Sequence, residues 1–306
     1  MTEGTILTHD FRDFIAGGDL QQLFVDGVQR SLSTTGFFFL SNHGIPEAVT
    51  ERVLDVLPAF FRDLSQDERN AYALSDLLGY TPPKVEKGEG FSVPDEKHFV
   101  HVRDGVTLYV REVPDFAPAL AELSEHFHSL AVLLLRAVAL SLELPEWQFD
   151  DQEGNNLLRA LHYPAHPNPT EHEHALVEGG NAVGMCAAPH TDINMLTLLL
   201  AREPGLELFH DGAWMPITIQ DPNLLIVNGA DVLRHLTGGR YQSGLHRVVC
   251  RPDVERYSVP YFVHLKPEAP IVPLEHLGVS DTAAFPFQTS GEFVYARLVE
   301  LGVIPK

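Results

Sequence analysis

The stretch APHTDINMLTLLL, residues 188–200, sets His190 and Asp192 two residues apart ahead of an apolar run. If it is one strand, His190, Asp192 and Asn194 share a face, because side chains alternate along extended backbone. An imidazole and a carboxylate placed this way can hold one divalent metal as adjacent ligands. The third ligand is expected from His246, in RYQSGLHRVV, where another apolar run begins. Two histidines and one carboxylate on one side of an ion leave the opposite positions open, which suits non-haem Fe(II) taking a bidentate co-substrate and O2 together. Zinc usually settles for four ligands, and a zinc hydrolase would leave the next motif without a purpose. With 16 histidines in the chain, a chance H-x-D triplet is unremarkable, and a capping His190 beside a turn-forming Asp192 is the plainer alternative.

In VERYSVPYFVHLKP, residues 254–267, Arg256, Ser258 and Pro260 fall on one face and Tyr257, Val259 and Tyr261 on the other. A guanidinium in a buried strand is costly unless an anion meets it, and its planar fork suits a carboxylate. Ser258 can add a hydroxyl to the same carboxylate. An internal Asp or Glu would be the structural partner; beside a metal triad, an acid-bearing co-substrate is the better fit.

The chain has 306 residues, 44% hydrophobic and 21% charged, which describes a soluble globular protein able to bury a sizeable core. A formal charge of -21 repels phosphate-rich partners, so neither nucleic acid nor an anionic membrane is expected. The window SLAVLLLRAVALSLEL, 129–144, is broken by Arg136 and is short for a membrane span, so it reads as a buried helix. Cys186 and Cys250 are the only cysteines, and with no basic neighbour they are expected to be buried thiols. The opening residues lack the basic and apolar regions of a signal peptide, so a cytoplasmic protein is expected.

The elements that must position these residues come helices first, strands second. Leu23, Phe24, Val28 and Leu32 recur at helical spacing, and GFFFLSNHGI, 36–45, reads as a buried strand ending in a turn. Residues 46–74 carry two helical patterns, the first opened by Pro46 and the second capped by Ser65. The glycines and prolines of 75–110 point to loop with short strand pieces, a lid-like region. One or two helices follow over 114–144. From Leu157 to Leu265 short apolar runs alternate with Gly, Pro, Asn and Asp, the mark of a sandwich or barrel, and 291–303 closes the chain as a helix.

Taken together, these motifs resemble the Fe(II)- and 2-oxoglutarate-dependent dioxygenases of the isopenicillin N synthase-like group, over nearly the whole chain. GFFFLSNHGI resembles the group's N-terminal strand and turn, LLRALHYPAHP its R-x-x-Y-P-x-x-P element, and APHTDINMLTLLL its H-x-D strand. NGADVLRHLTGGRYQSGLHRVV resembles the approach to the distal histidine, and RYSVPYF the R-x-S strand. The resemblance implies an α+β, mainly β fold: a distorted double-stranded β-helix, or jelly roll, with flanking N-terminal, central and C-terminal helices. It divides the chain into an N-terminal region, 1–110, and a core, 111–306, within one compact catalytic unit. It implies Fe(II) held by His190, Asp192 and His246, with 2-oxoglutarate held through its far carboxylate by Arg256 and Ser258 and assisted by Tyr163. Leu161 stands where the group commonly has a polar residue.

What the resemblance implies about activity is oxidation of a small molecule by O2 with release of succinate and CO2, by hydroxylation, desaturation or ring closure. Asp192 argues against halogenation, which needs a small residue there. The rival readings are an iron oxidase of the isopenicillin N synthase type that needs no 2-oxoglutarate, and a non-catalytic jelly-roll binding protein. A monomer or weak homo-oligomer is expected. Arg159 is a candidate for recognising an acidic substrate, with solvent exposure as the equal alternative. Asn194 and His162 are candidates for substrate contact, with hydrogen-bonded wall roles as the alternative. Phe91, His98 and His101 follow behind. His172 and His174 read as a solvated loop, and Asn228, Gly229 and Asp231 as a turn that sets backbone geometry.

Overall fold

The structure is a computed structural model; it describes residues 6–74, 78–86, 94–103, 108–165, 176–178, 181–251, 253–279 and 282–300. The N-terminal part supplies β1 (Leu7–Asp10), α1 (Phe11–Ala16), α2 (Gly18–Thr34), β2 (Phe37–Ser41), α3 (Glu47–Phe61), α4 (Gln66–Asn70), β3 (Gly79–Thr81) and β4 (His98–Arg103). The long helix α5 (Phe116–Ser141) leads into β5 (Leu157–Tyr163), the hairpin β6 (Leu176–Glu178) and β7 (Asn181–Val183), β8 (Met185–His190) and β9 (Leu196–Ala201). Then come β10 (Leu206–His210), β11 (Ala213–Pro216), β12 (Leu225–Gly229), α6 (Asp231–Leu236), β13 (His246–Val249), β14 (Arg256–Val263) and α7 (Ser290–Glu300).

Eight strands form one sheet in the order β1-β2-β12-β9-β14-β5-β4-β3, and four form a second in the order β11-β10-β13-β8. Phe37, Phe99, Leu161, Leu199 and Ile226 of the larger sheet pack against Ala187, Leu208 and Val248 of the smaller, so the two face each other. The other face of the larger sheet carries Val100, Leu158, Leu198 and Val259, which pack on α2, α3 and α5. This is the expected jelly roll with its helical backing. The strands of the N-terminal region join the same sheet as the core strands: β2 pairs with β12, and β4 with β5.

Local sequence accounts for most elements. Ser65 and Glu68 form a reciprocal capping box that starts α4, each side chain accepting from the other's backbone N–H. Pro46, in extended conformation, caps α3. In α2, Phe24, Val28 and Leu32 are buried as the periodicity predicts, but Leu23 is 65% exposed on the far face. Helix α5 is long and apolar enough to cross a membrane. Its Phe116, Leu120, Leu123 and Phe127 are instead fully buried in the core, where α5 contacts α2, α3 and β14.

Two expectations are corrected. Residues 188–200 are not one strand: β8 ends at His190, β9 begins at Leu196, and the two belong to different sheets. Cys186 and Cys250 are not free thiols but a disulfide, with Cα atoms 5.2 Å apart across 64 residues of sequence. The antiparallel pairing of β13 with β8 brings them together, Cys250 N–H donating to the Gly184 carbonyl. Nothing in the local pattern around either cysteine signals that pairing.

Phe127 is fully buried with its ring 5.6 Å from that of Tyr261 on β14, at the contact between helix layer and sheet. Phe127→Ala should cost about 3–5 kcal/mol of stability, read as a lowered urea midpoint.

Candidate metal and co-substrate centre

The crossing from β8 to β9 builds the centre. His190 is the last residue of β8, Asp192 sits in the turn, and His246, the first residue of β13, pairs directly opposite His190. One ligand atom from each of the three lies within 4.8 Å of the others. His246 Nε2 is 3.9 Å from Asp192 Oδ1, and the two imidazole centroids are 4.3 Å apart.

Each imidazole is oriented by its own backbone. His190 Nδ1 is 2.7 Å from the Ala188 carbonyl, and His246 Nδ1 is 3.0 Å from the Gly244 carbonyl. A carbonyl only accepts, so each Nδ1 carries the proton and each Nε2 keeps its lone pair for a metal. On Asp192, Oδ2 accepts from Thr197 Oγ1 at 2.7 Å and Asn228 Nδ2 at 3.0 Å, which leaves Oδ1 toward His246. The turn is pinned from below: the amides of Ala230, Asp231 and Val232 donate to the carbonyls of Met195, Asp192 and Asn194.

Protonation follows from these surroundings. Burial, then the charges of His246 and Lys97, lower His190 to about 4. Burial raises Asp192, but His246 and His190 with the Thr197 and Asn228 hydrogen bonds prevail and hold it below the ordinary carboxylate value. At neutral pH His190 is thus a neutral imidazole and Asp192 an ionised carboxylate, the forms a divalent metal requires.

Arg256, first residue of β14, is 4% exposed and faces between the sheets. It pairs across the ladder with Tyr163, its guanidinium carbon 5.1 Å from that ring, and donates from Nη1 to Ser258 Oγ at 2.9 Å. Its Nε is buried with no hydrogen-bond partner among the described residues. A buried guanidinium left short of partners is costly, and a carboxylate supplies what is missing.

Two family models match the chain: the 2OG-Fe(II) oxygenase superfamily over residues 154–265, and the non-haem dioxygenase N-terminal region described from morphine synthesis over 8–117. The chain belongs to the Fe(II)/2-oxoglutarate-dependent dioxygenases. It is 29% identical over 258 residues to Protein DMR6-LIKE OXYGENASE 2 of Arabidopsis thaliana, covering 80% of this chain and 69% of that one. It is 28% identical to the 2-oxoglutarate-Fe(II) type oxidoreductase hxnY of Emericella nidulans, over 85% and 79% of the two chains. A solved 2OG-Fe(II) oxygenase family protein from Caulobacter crescentus superposes with TM-score 0.79 at 29% identity, over 97% and 99%. The dioxygenase for auxin oxidation 1 of Arabidopsis thaliana, solved with 2-oxoglutarate, shares the fold with TM-score 0.72 at 20% identity, over 92% and 100%. The oxygenase uses Fe(II) and 2-oxoglutarate, and the His190–Asp192–His246 triad is the set that fits the iron.

The other sequence candidates divide between the alternatives given for them. His162 is on the helix-facing side of β5, stacked on Phe61 and Tyr257 and 2.5 Å from His98 Nε2, so it points away from the triad. Asn194 is 1% exposed and bonds Thr197, so it supports Asp192 instead of meeting substrate. Arg159 does face between the sheets, but its guanidinium is engaged two-pronged by Glu86 at 3.1 Å on both arms. His101 faces the same way and accepts from Arg159 Nε. Leu161 lies buried opposite Ser258 and offers no hydrogen bond. Phe91, His172 and His174 lie outside the described residues. Thr197 and the side chain of Asn228 are functional residues that sequence reasoning missed. The pattern around Asn228 points only to turn geometry, and nothing in it reveals a partner 36 residues away.

Thr197→Val should weaken Fe(II) binding by about 10–100-fold, since outer partners orient metal carboxylates, with far-ultraviolet circular dichroism unchanged. The His98–His162 pair gives a second expectation. Burial, then neighbouring charge, lowers His98 to about 3 and His162 to about 4. The unfolded chain binds these protons near pH 6.5 while the folded one refuses them. Stability should therefore fall as pH drops from about 6.5 toward 4, and His162→Phe should flatten the dependence of Tm on pH in that window.

Proposed function

We propose that Arg256, Ser258 and Tyr163 hold the far carboxylate of 2-oxoglutarate, and that the enzyme hydroxylates an organic small molecule. The observation that carries this reading is the buried guanidinium of Arg256, short of partners and on the same interior face as the triad. Glu203 and Tyr163 meet its charge in part, but Nε keeps no acceptor among the described residues, so an entering carboxylate supplies what the buried guanidinium still lacks. Bound iron with 2-oxoglutarate and O2 supplies the oxidising power, leaving succinate and CO2.

The chain's own residues then have distinct tasks. Ala188 and Gly244 carbonyls hold the imidazoles in the donor tautomer, and Thr197 with Asn228 fixes which Asp192 oxygen faces the metal. Arg256 and Ser258 fix one end of 2-oxoglutarate, and their rigid strand sets the reach to the triad. Related enzymes at 27–29% identity carry names as different as flavonol synthase, leucoanthocyanidin dioxygenase and flavonoid 7-O-demethylase, so no one of those substrates transfers to this chain. The net charge of -21 supports a small-molecule substrate over nucleic acid or an anionic membrane, and a monomer or weak homo-oligomer in the cytoplasm fits this reading.

Anaerobic Fe(II) addition to protein with 2-oxoglutarate should raise an absorption band that His190→Ala and Asp192→Ala abolish. Arg256→Ala should keep Fe(II) but weaken 2-oxoglutarate by about 10–100-fold, the size of a lost charge-assisted contact. Unaltered 2-oxoglutarate affinity in Arg256→Ala, or iron-dependent O2 uptake without 2-oxoglutarate, would move Arg256 to the substrate's own carboxylate.

A further inference from the structure

The ladder registers arrange the interior wall in order. Arg256 pairs with Tyr163 at one end, and Phe262 pairs with Thr197, the partner of Asp192, at the other. Arg159 lies between these ends on β5, opposite His101 of β4, with its guanidinium carbon 4.2 Å from the Phe99 ring and 5.4 Å from that of Phe262. It therefore stands on the wall between the co-substrate end and the metal end, where a substrate held near the iron would meet it.

Its charge is already matched. Glu86 grips Arg159 with both oxygens and also meets Lys97 Nζ at 3.2 Å, while Asp95 meets the same Nζ at 2.7 Å. Burial raises Glu86, but Arg159 and Lys97 outweigh it and hold the carboxyl at about 2, so it is ionised at any working pH. The backbone holds Glu86 in place, since its carbonyl accepts from Asp95 N–H at 2.8 Å. Asp95 in turn accepts from the Ala188 amide at 3.2 Å, which ties the ion network to the strand carrying His190.

Counting the loaded interior, ferrous iron, Arg256, Arg159 and Lys97 face Asp192, Glu86, Asp95 and the two carboxylates of 2-oxoglutarate. The positive and negative formal charges of these groups are equal. The half-buried Glu203 also faces Arg256 and adds negative charge at the co-substrate end. A carboxylate brought in by the substrate would be an unmatched buried charge, which costs several kcal/mol. An uncharged group costs no such penalty. Arg159 still has donors for it: among the described residues, contacts to Glu86 and His101 engage three of its five N–H groups.

We propose that the enzyme takes an uncharged substrate whose carbonyl or hydroxyl oxygen accepts from Arg159, and that Glu86 is the specificity-determining residue that excludes carboxylic acids. This rests on 2-oxoglutarate occupying Arg256, and it replaces the expectation that Arg159 reads an acidic substrate.

The test uses the full chain under anaerobic conditions, loaded with Fe(II) and saturating 2-oxoglutarate, and titrated calorimetrically with benzamide and with benzoate, probes matched in size and differing in charge. The wild type should bind benzamide more tightly than benzoate. Glu86→Gln, which removes one charge and little volume, should strengthen benzoate binding by about 10–100-fold and invert the preference. Arg159→Met, made separately so that the proposal does not hang on one variant's folding, should weaken benzamide by about tenfold or more without gaining benzoate. A wild type that prefers benzoate overturns the proposal, and so does an unchanged probe ratio in Glu86→Gln, including the case where neither probe binds. The Fe(II)–2-oxoglutarate absorption band is read in the same samples. Its absence from the wild type would count against the co-substrate reading, whereas a normal band with the wrong probe preference counts against Glu86 alone.

Discussion

Between His190 and Leu196 the backbone leaves the smaller sheet and enters the larger, and the metal centre depends on that crossing being held still. A change of sheet within a few residues is a place where a chain would ordinarily be loose. Here the amides of 230–232 bind three of its carbonyls, and Thr197 and Asn228 bind the Asp192 carboxylate. The turn is short of internal hydrogen bonds and takes them from a neighbouring helix start, which satisfies both segments at once. Ligand geometry is thus set by backbone pairing more than by side-chain packing.

The interior that surrounds this turn is balanced by charge. Arg256 is left short of partners on one side, and on the other Arg159, Lys97, Glu86 and Asp95 match one another in a buried network. That contrast gives the two cationic groups different parts. A guanidinium without its anion makes binding of an acid favourable, and one already paired makes entry of a second acid unfavourable. The same residue type on adjacent strands thereby serves two different parts along one interior wall.

The disulfide between Cys186 and Cys250 joins the two strands whose opposite ends carry His190 and His246. Each cysteine lies four residues from a ligand, Cys186 on β8 and Cys250 one residue past the end of β13. The covalent tie and the backbone ladder therefore act on the same pair of strands, so the ligand separation is constrained from both ends.

Much of this was legible from residue order alone. The H-x-D triplet, the distal histidine and the R-x-S strand each carry a chemical demand that few other roles satisfy, and period-two alternation correctly placed Arg256 and Ser258 on one face. The helices α2, α3 and α5 and the Ser65 cap follow from local periodicity and capping, which act within a few residues. Other features needed the fold. The straight strand expected over 188–200 is a corner, because a run of apolar residues does not say which sheet each end joins. Whether His162 or Arg159 faces the metal depends on the phase of β5 relative to two sheets, and Glu86 reaches Arg159 across 73 residues of sequence. Sequence therefore determined the donor groups and the chemistry they permit. Only the tertiary structure decided which charges are already paired, because pairing is a matter of distance between strands that no local pattern records.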